Sequence, residues 1–263
     1  MPSMIIASDL DGTLIIHDPN IEFNPSDTVS QALFPVIDAL QKKDILFCAA
    51  TGRNYSAIEE HFGKYANIIA SLSENGAYVH CKGELLDIID IPYETAEAIT
   101  RSVREIPDCL VRINTTEKIY YLVETEEQAD LMRSWEYPNA LTAFSFNEIK
   151  GKITQISAVS LGPVEPVADI LIPTWVDKIG VMIAGKHWLD FTNAGKGKGL
   201  EVLCKHLGVP LNNTVAFGDN YNDMDMLRIA GTPYIMDTAP ADLLAQVPNH
   251  TSDALKSIEL YCK

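Results

Sequence analysis

Met4-Ile5-Ile6-Ala7 is a short apolar run that ends at Ser8-Asp9. A run that is apolar at every position predicts a strand covered on both faces, of the kind found in parallel sheets. Pro25-Ser26-Asp27 then offers helix-start chemistry. Ala32, Leu33, Val36, Ile37 and Leu40 follow at spacings of three and four, one face of an amphipathic helix. Ile45 to Ala50 is a second buried strand, running straight into Thr51-Gly52-Arg53, and Tyr55 to Phe62 reads as a helix. Ile68-Ile69-Ala70 is a third apolar run, before Ser73-Glu74-Asn75-Gly76-Ala77. Strand and helix in alternation is the grammar of a parallel α/β sheet.

After about residue 83 the pattern changes. Residues 93–106 are helical in pattern, and Leu110–Ile113 and Ile119–Val123 predict an antiparallel hairpin around a polar turn. Glu126 to Tyr137 predicts a helix, and Ile153 to Ser160 and Ile179 to Ala184 predict further strands. Adjacent strands flanked by helices suggest an α+β unit inserted into the α/β one. The α/β grammar resumes near residue 196. Leu200, Leu203 and Leu207 keep helical spacing up to Gly208, a natural C-cap. Val215–Phe217 is a strand that feeds Gly218-Asp219, Asn222–Ile229 a helix, Tyr234–Met236 a last strand and Ala241–Val247 a last helix. The expected division is therefore a core of residues 1–82 and 190–263, with 83–189 inserted.

Composition narrows the function. The 263 residues are 47% hydrophobic with 15 glycines and 14 prolines, which excludes disorder as the dominant state. Acidic residues number 36 and basic ones 20, a net charge of −16 that repels polyanions and anionic membranes. Nucleic acid and membrane are thus not expected partners, and an anionic substrate would need local positive charge from a metal ion, a lysine or backbone N–H groups. The five cysteines form no CxxC pair and suit a reducing compartment, and no apolar run reaches membrane-spanning length, so a cytoplasmic location is expected.

Four polar clusters follow predicted strands, where open parallel sheets bind their ligands. In Asp9-Leu10-Asp11-Gly12-Thr13-Leu14, two carboxylates two residues apart would crowd one spot. That is costly unless a cation lies between them or one is protonated. An EF-hand calcium loop is excluded, because its sixth and twelfth positions here are Leu14 and Asn20. Thr51-Gly52-Arg53 offers a hydroxyl and backbone N–H groups for an anion, or else a plain helix cap by Thr51. Gly195-Lys196-Gly197-Lys198-Gly199 places two lysines before a helix but does not match the P-loop spacing. Gly218-Asp219-Asn220-Tyr221-Asn222-Asp223 supplies hard oxygen ligands suited to Mg²⁺, or else a helix start capped by Asn222 or Asp223. The six histidines show no ligand spacing, and His17, His61 and His80 read as surface or supporting residues. Trp135, Trp175 and Trp188 read as packing of the insert.

Taken in order, these motifs resemble the haloacid dehalogenase superfamily of phosphohydrolases. Ser73-Glu74-Asn75-Gly76-Ala77 and the insert of about a hundred residues resemble its Cof-like branch, type IIB. The resemblance implies an α/β, Rossmann-like parallel-sheet core with an inserted, mobile α+β cap (C2B type) that closes over a small phosphorylated metabolite, sugar phosphates first. It makes Asp9 the nucleophile that becomes an aspartyl-phosphate and Asp11 the general acid and then base. It places Mg²⁺ against Asp9, the Asp11 carbonyl and Asp219, with Asn222 at or near the ion and Asp223 orienting it. Thr51 and the Gly52 N–H would hold phosphoryl oxygens, and a lysine would neutralise them. Counting back from Leu207-Gly208 favours Lys196 for that lysine, and counting forward from Leu189-Asp190-Phe191 favours Lys198. Helix register is the tighter constraint, so Lys196 is expected. Arg53 and Asn75 face the crevice in the resemblance. Asp190-Phe191-Thr192-Asn193 departs from the E-I-x-P strand that often ends such caps.

A phosphomutase would need the aspartyl-phosphate to survive water, and heavy oxygen from labelled water in the released phosphate separates the two. A phospho-aspartate signalling module is a more distant alternative, since its acceptor lies later in the chain and it has no large insert. A monomer or a small homo-oligomer is expected.

Overall fold

The computed structural model describes residues 1–15, 28–135 and 140–263, with the side chains of 132–135 left aside. The helix-start motif Pro25-Ser26-Asp27, His17, the Trp135 side chain and the end of the helix expected to reach Tyr137 lie outside the described residues. The chain forms two compact units, residues 1–88 with 195–263 and residues 89–194.

The first unit begins with β1 (Met4–Ser8), α1 (Leu33–Gln41), β2 (Ile45–Ala50), α2 (Tyr55–Phe62), β3 (Ala70–Ser73), β4 (Tyr78–Cys81) and β5 (Glu84–Ile88). The second unit holds α3 (Tyr93–Arg104), β6 (Cys109–Thr115), β7 (Ile119–Leu122), α4 (Glu126–Trp135), β8 (Leu141–Ala143), β9 (Ile153–Ser160), α5 (Glu165–Trp175), β10 (Gly180–Gly185) and β11 (Trp188–Thr192). The chain then returns to the first unit with α6 (Lys196–Leu207), β12 (Thr214–Gly218), α7 (Met224–Ile229), β13 (Thr232–Met236), α8 (Ala241–Leu244), β14 (Asn249–Thr251) and α9 (Ala254–Glu259). None of the described helices is long and apolar enough to cross a membrane.

In the first unit the strand order is β14-β13-β12-β1-β2-β3-β4-β5. The strands from β14 to β3 pair in parallel, and β4 and β5 add an antiparallel edge. The order reverses between β1 and β12, the switch point outside which such sheets bind ligands. Alternate residues feed opposite layers. Ile5, Ala7 and Cys48 pack with Leu200 and Leu203 of α6, whereas Ile6, Phe47 and Ala49 pack with Leu33 and Ile37 of α1 and Phe62 of α2. This two-sided burial is why these strands read as unbroken apolar runs.

In the second unit the order is β10-β11-β9-β6-β7-β8. Ile99 of α3 and Leu171 of α5 cover one face of this sheet, and Ala129 of α4 packs against part of the other. The side-chain amide of Asn193 donates to the Asp90 carbonyl at 3.0 Å, which ties the two ends of the insert together.

The units divide at 88/89 and 194/195, beyond the expected 82/83 and 189/190. β5 hydrogen-bonds to β4 and so extends the first sheet, while β11 pairs with β9 and β10 in the second. α5 has no counterpart in the sequence reading, because Pro166 and Pro173 break its pattern. Pro166 lies in the first turn, where its missing N–H costs little, and Pro173 sits near the C-terminus. The third apolar run becomes a strand only from Ala70, after a 3₁₀ turn at Gly63–Asn67. The segment expected as one helix from Asn222 splits into a 3₁₀ turn, Tyr221–Asp223, and α7. α8 stops at Leu244 instead of Val247, and Pro248 disfavours helical geometry at Val247.

Candidate active site

β1 and β12 are adjacent and in register, Ser8 opposite Phe217, so the chain leaves both strands at the same edge. Asp9 follows β1 and Asp219 follows β12. Among the described residues, Asp9, Asp219 and Asp223 each offer a carboxylate oxygen within 4.8 Å of the others. Thr13 Oγ1 donates to Asp219 Oδ1 at 3.3 Å. Gly12 makes this approach possible. Its φ is +89°, and a Cβ there would collide with the Asp219 carboxylate.

Lys196, the first residue of α6, is fully buried, and its Nζ donates to Asp9 Oδ1 and Asp223 Oδ1 at 2.6 Å each. Lys198 is exposed. Burial alone would lower the Lys196 pKa, but the Asp9 and Asp223 carboxylates outweigh it and raise the pKa, so the ammonium stays charged. Asp9 is held well above the usual carboxylate range. Burial is the main cause, opposed by Lys196 and reinforced by Asp223 and Asp219. Asp219 is raised as well, by burial and then by Asp223.

Asp223 has both oxygens engaged. Oδ1 takes Lys196, and Oδ2 accepts the backbone N–H groups of Asp219 and Asn220 at 3.0 Å. The cap of this turn is Asn220, in a capping box with Asp223, in place of Asn222 or Asp223 as a lone cap. Asn222 instead donates through Nδ2 to Asn75 Oδ1 at 3.1 Å. Asn75 lies in a left-handed stretch, Glu74, Asn75 and Gly76 at φ 50°, 54° and 88°. Its own N–H donates to the Thr51 carbonyl at 2.9 Å, so this loop joins the second cluster to the fourth.

Thr51 is buried and does not cap α2. Asn54 does so, accepting from the Ala57 N–H at 3.1 Å. Thr51 Oγ1 accepts from the Arg53 N–H at 3.1 Å, and the Thr51 N–H is spent on the Leu72 carbonyl. Arg53 forks onto Asp11, with Nε to Oδ2 at 2.8 Å and Nη2 to Oδ1 at 2.5 Å. Asp9, Asp11, Gly52, Arg53, Asp219, Asn220 and Asn222 line one cleft of about 310 Å³.

Three contacts were not read from the sequence. Thr13 lies within a quoted motif, but its bond to Asp219 bridges distant segments. Asp225 Oδ2 accepts the Gly197 N–H at 2.9 Å and so supplies the missing side-chain cap of α6 from another helix. His61 reaches Arg53. No periodic or motif signal marks any of these three bonds.

The donor set is that of a hard cation site. Five carboxylates (Asp9, Asp11, Asp219, Asp223 and Asp225) stand against the two cations Lys196 and Arg53. With Asp223 engaged as above, Asp9 and Asp219 are left facing each other. Mutually close buried carboxylates need a cation or a shared proton, so the residues present fit a divalent metal.

The model of the haloacid dehalogenase-like hydrolase family matches residues 6–256. The HMP-PP phosphatase of Escherichia coli O8 (strain IAI1) is 26% identical over 266 residues, covering 93% of this chain and 88% of that protein. A solved structure from Eubacterium rectale superposes with a TM-score of 0.82 at 23% identity, covering 98% of each chain. A sugar phosphatase of haloacid dehalogenase subclass IIB gives a TM-score of 0.67 at 21% identity, covering 98% of this chain and 96% of that one.

Proposed function

This chain belongs to the haloacid dehalogenase-like hydrolases, and on that premise we propose that it is a Mg²⁺-dependent phosphatase of small phosphorylated metabolites, sugar phosphates first, working through an aspartyl-phosphate. The reading is carried by one observation: a buried ammonium, Lys196, bonded to a buried carboxylate, Asp9, whose other neighbour is the Asp219 carboxylate. The relatives named as phosphatases support the same substrate class.

An Asp9 oxygen attacks phosphorus and forms the new P–O bond, while the ester P–O bond breaks and the Asp11 carboxyl gives its proton to the leaving oxygen. Asp11 then takes a proton from water as the water attacks phosphorus. The P–O bond to Asp9 breaks, and inorganic phosphate leaves. Burial works against an ionised Asp9, so the nucleophile depends on nearby positive charge, and Lys196 provides part of it. Thr51 and the Gly52 N–H hold phosphoryl oxygens, with charge stabilisation as the main contribution to rate. Asp9, the Asp11 carbonyl and Asp219 would hold Mg²⁺, with Asn222 beside it. When bound, the ion supplies positive charge to the nucleophile and the transferring phosphoryl group.

The test is turnover of p-nitrophenyl phosphate and a panel of sugar phosphates with Mg²⁺, then with excess chelator. Sustained turnover that chelator abolishes is expected. Asp9→Asn should fold with an unchanged circular dichroism spectrum and lose nearly all hydrolysis. Wild-type rates in Asp9→Asn would overturn the mechanism.

A further inference from the structure

α2 carries a buried, polar side chain that the chemistry above does not use. His61, in the last turn, is 7% exposed, and its Nε2 lies 2.6 Å from Arg53 Nη1. Arg53 can only donate, so the lone pair of the imidazole is on Nε2 and its proton is on Nδ1. That Nδ1 is buried with no hydrogen-bond partner among the described residues. A buried donor left unsatisfied is destabilising, so the ring is not turned to suit its own bonding. It is turned to meet the guanidinium.

Arg53 links His61 to the cleft. Two of its nitrogens fork onto Asp11 and the third faces His61, so the guanidinium plane is pinned from two sides. The Asp11 side chain is 29% exposed. The fork sets the plane of the carboxyl. Burial, followed by the Arg53 charge, holds the imidazole below its ordinary pKa, which keeps it in the accepting form at neutral pH.

We propose that His61 is a positioning residue for proton delivery: by accepting from Arg53 Nη1 it fixes the guanidinium, which in turn orients the Asp11 carboxyl toward the leaving oxygen. The inference rests on the reading of Asp11 as general acid and goes beyond it by naming what aims that acid. The proton still moves from Asp11 to the ester oxygen, and His61 neither gains nor loses one.

The leaving group separates this role from a packing role. A hexose monophosphate expels an alkoxide and needs the proton, whereas p-nitrophenyl phosphate expels a phenolate that leaves unprotonated. kcat/KM is the quantity to compare, because it reports events up to phosphoryl transfer and excludes breakdown of the aspartyl-phosphate. His61→Phe should lower kcat/KM for the hexose phosphate by about 10–100-fold and for p-nitrophenyl phosphate by less than about 3-fold, within the range of ordinary context effects. His61→Gln, whose amide oxygen can accept from Arg53, should restore most of the difference. His61→Leu, which also lacks an acceptor, replaces the Phe variant if thermal melts show that Phe is not tolerated. An equal fall for both esters, no fall for either, or a Gln variant as impaired as the Phe variant overturns the inference. A wild type that turns over neither ester overturns the phosphatase reading, and this inference with it.

Discussion

Replacing Lys196 with Met keeps the length of the side chain and removes its charge. In the wild type that charge lies 2.6 Å from two carboxylates, Asp9 at 6% and Asp223 at 0% side-chain exposure. Removing one partner of a buried ion pair while leaving the other charged costs about 3–5 kcal/mol. For a unit of this size that corresponds to a melting temperature lower by about 6–20 °C. The loss should depend on pH. Without the ammonium, Asp9, already raised by burial, is raised further. A carboxylate whose folded pKa exceeds its unfolded value binds more protons in the folded state, so stability falls as pH rises through that interval. The gap between variant and wild type should therefore be widest at pH 7 to 8 and narrow toward pH 5. Differential scanning calorimetry with chelator present, at several pH values, measures this directly. Activity should fall by about 100–1,000-fold, as when one preorganised charge-stabilising group is removed. A variant that melts within a degree or two of wild type at pH 8, or whose deficit grows as pH falls, would refute the placement of a charged Lys196 between these acids.

Two further substitutions test the frame of the site. Gly12→Ala puts a Cβ into the Asp219 carboxylate at a φ of +89°. It should cost about 1–3 kcal/mol and raise the Mg²⁺ concentration needed for half-maximal activity, and an unchanged Mg²⁺ titration would show that the contact does not matter. Asp253 caps α9, accepting from the Lys256 N–H at 3.0 Å, and that bond, followed by the Lys256 side chain, lowers its pKa. Asp253→Ala should cost about 1 kcal/mol at pH 7. A depressed carboxylate contributes stability above its unfolded pKa and loses it as pH falls through the folded one, so the difference should begin to shrink below about pH 4 and close further down. A difference that did not shrink between about pH 5 and pH 2 would argue against the cap.

The strands at the centre of the first unit were legible because burial on both faces writes itself as an unbroken apolar run, as in Ile45–Ala50. The four polar clusters were legible because each follows such a run, and the rule that ligands gather beyond strand ends needs no coordinates. Segments whose burial depends on a partner strand left no comparable trace. β5 was assigned to the insert, β4 was not read as a strand, and α5 was hidden by its prolines.

Within the site, sequence gave residue types at strand ends but not who bonds to whom. Thr51 could have been a helix cap until Asn54 was seen in that position, and helix register could favour Lys196 over Lys198 without showing that Lys196 turns inward. Those choices depend on which oxygen lies within 3 Å of which nitrogen. That distance is fixed by the pairing of β1 with β12, segments some two hundred residues apart, and by the packing of α6 against α7. Local pattern along a chain records burial and backbone geometry, and it does not record the pairing of side chains from distant segments. Tertiary structure alone decided that Arg53 grips Asp11 and that His61 stands behind Arg53.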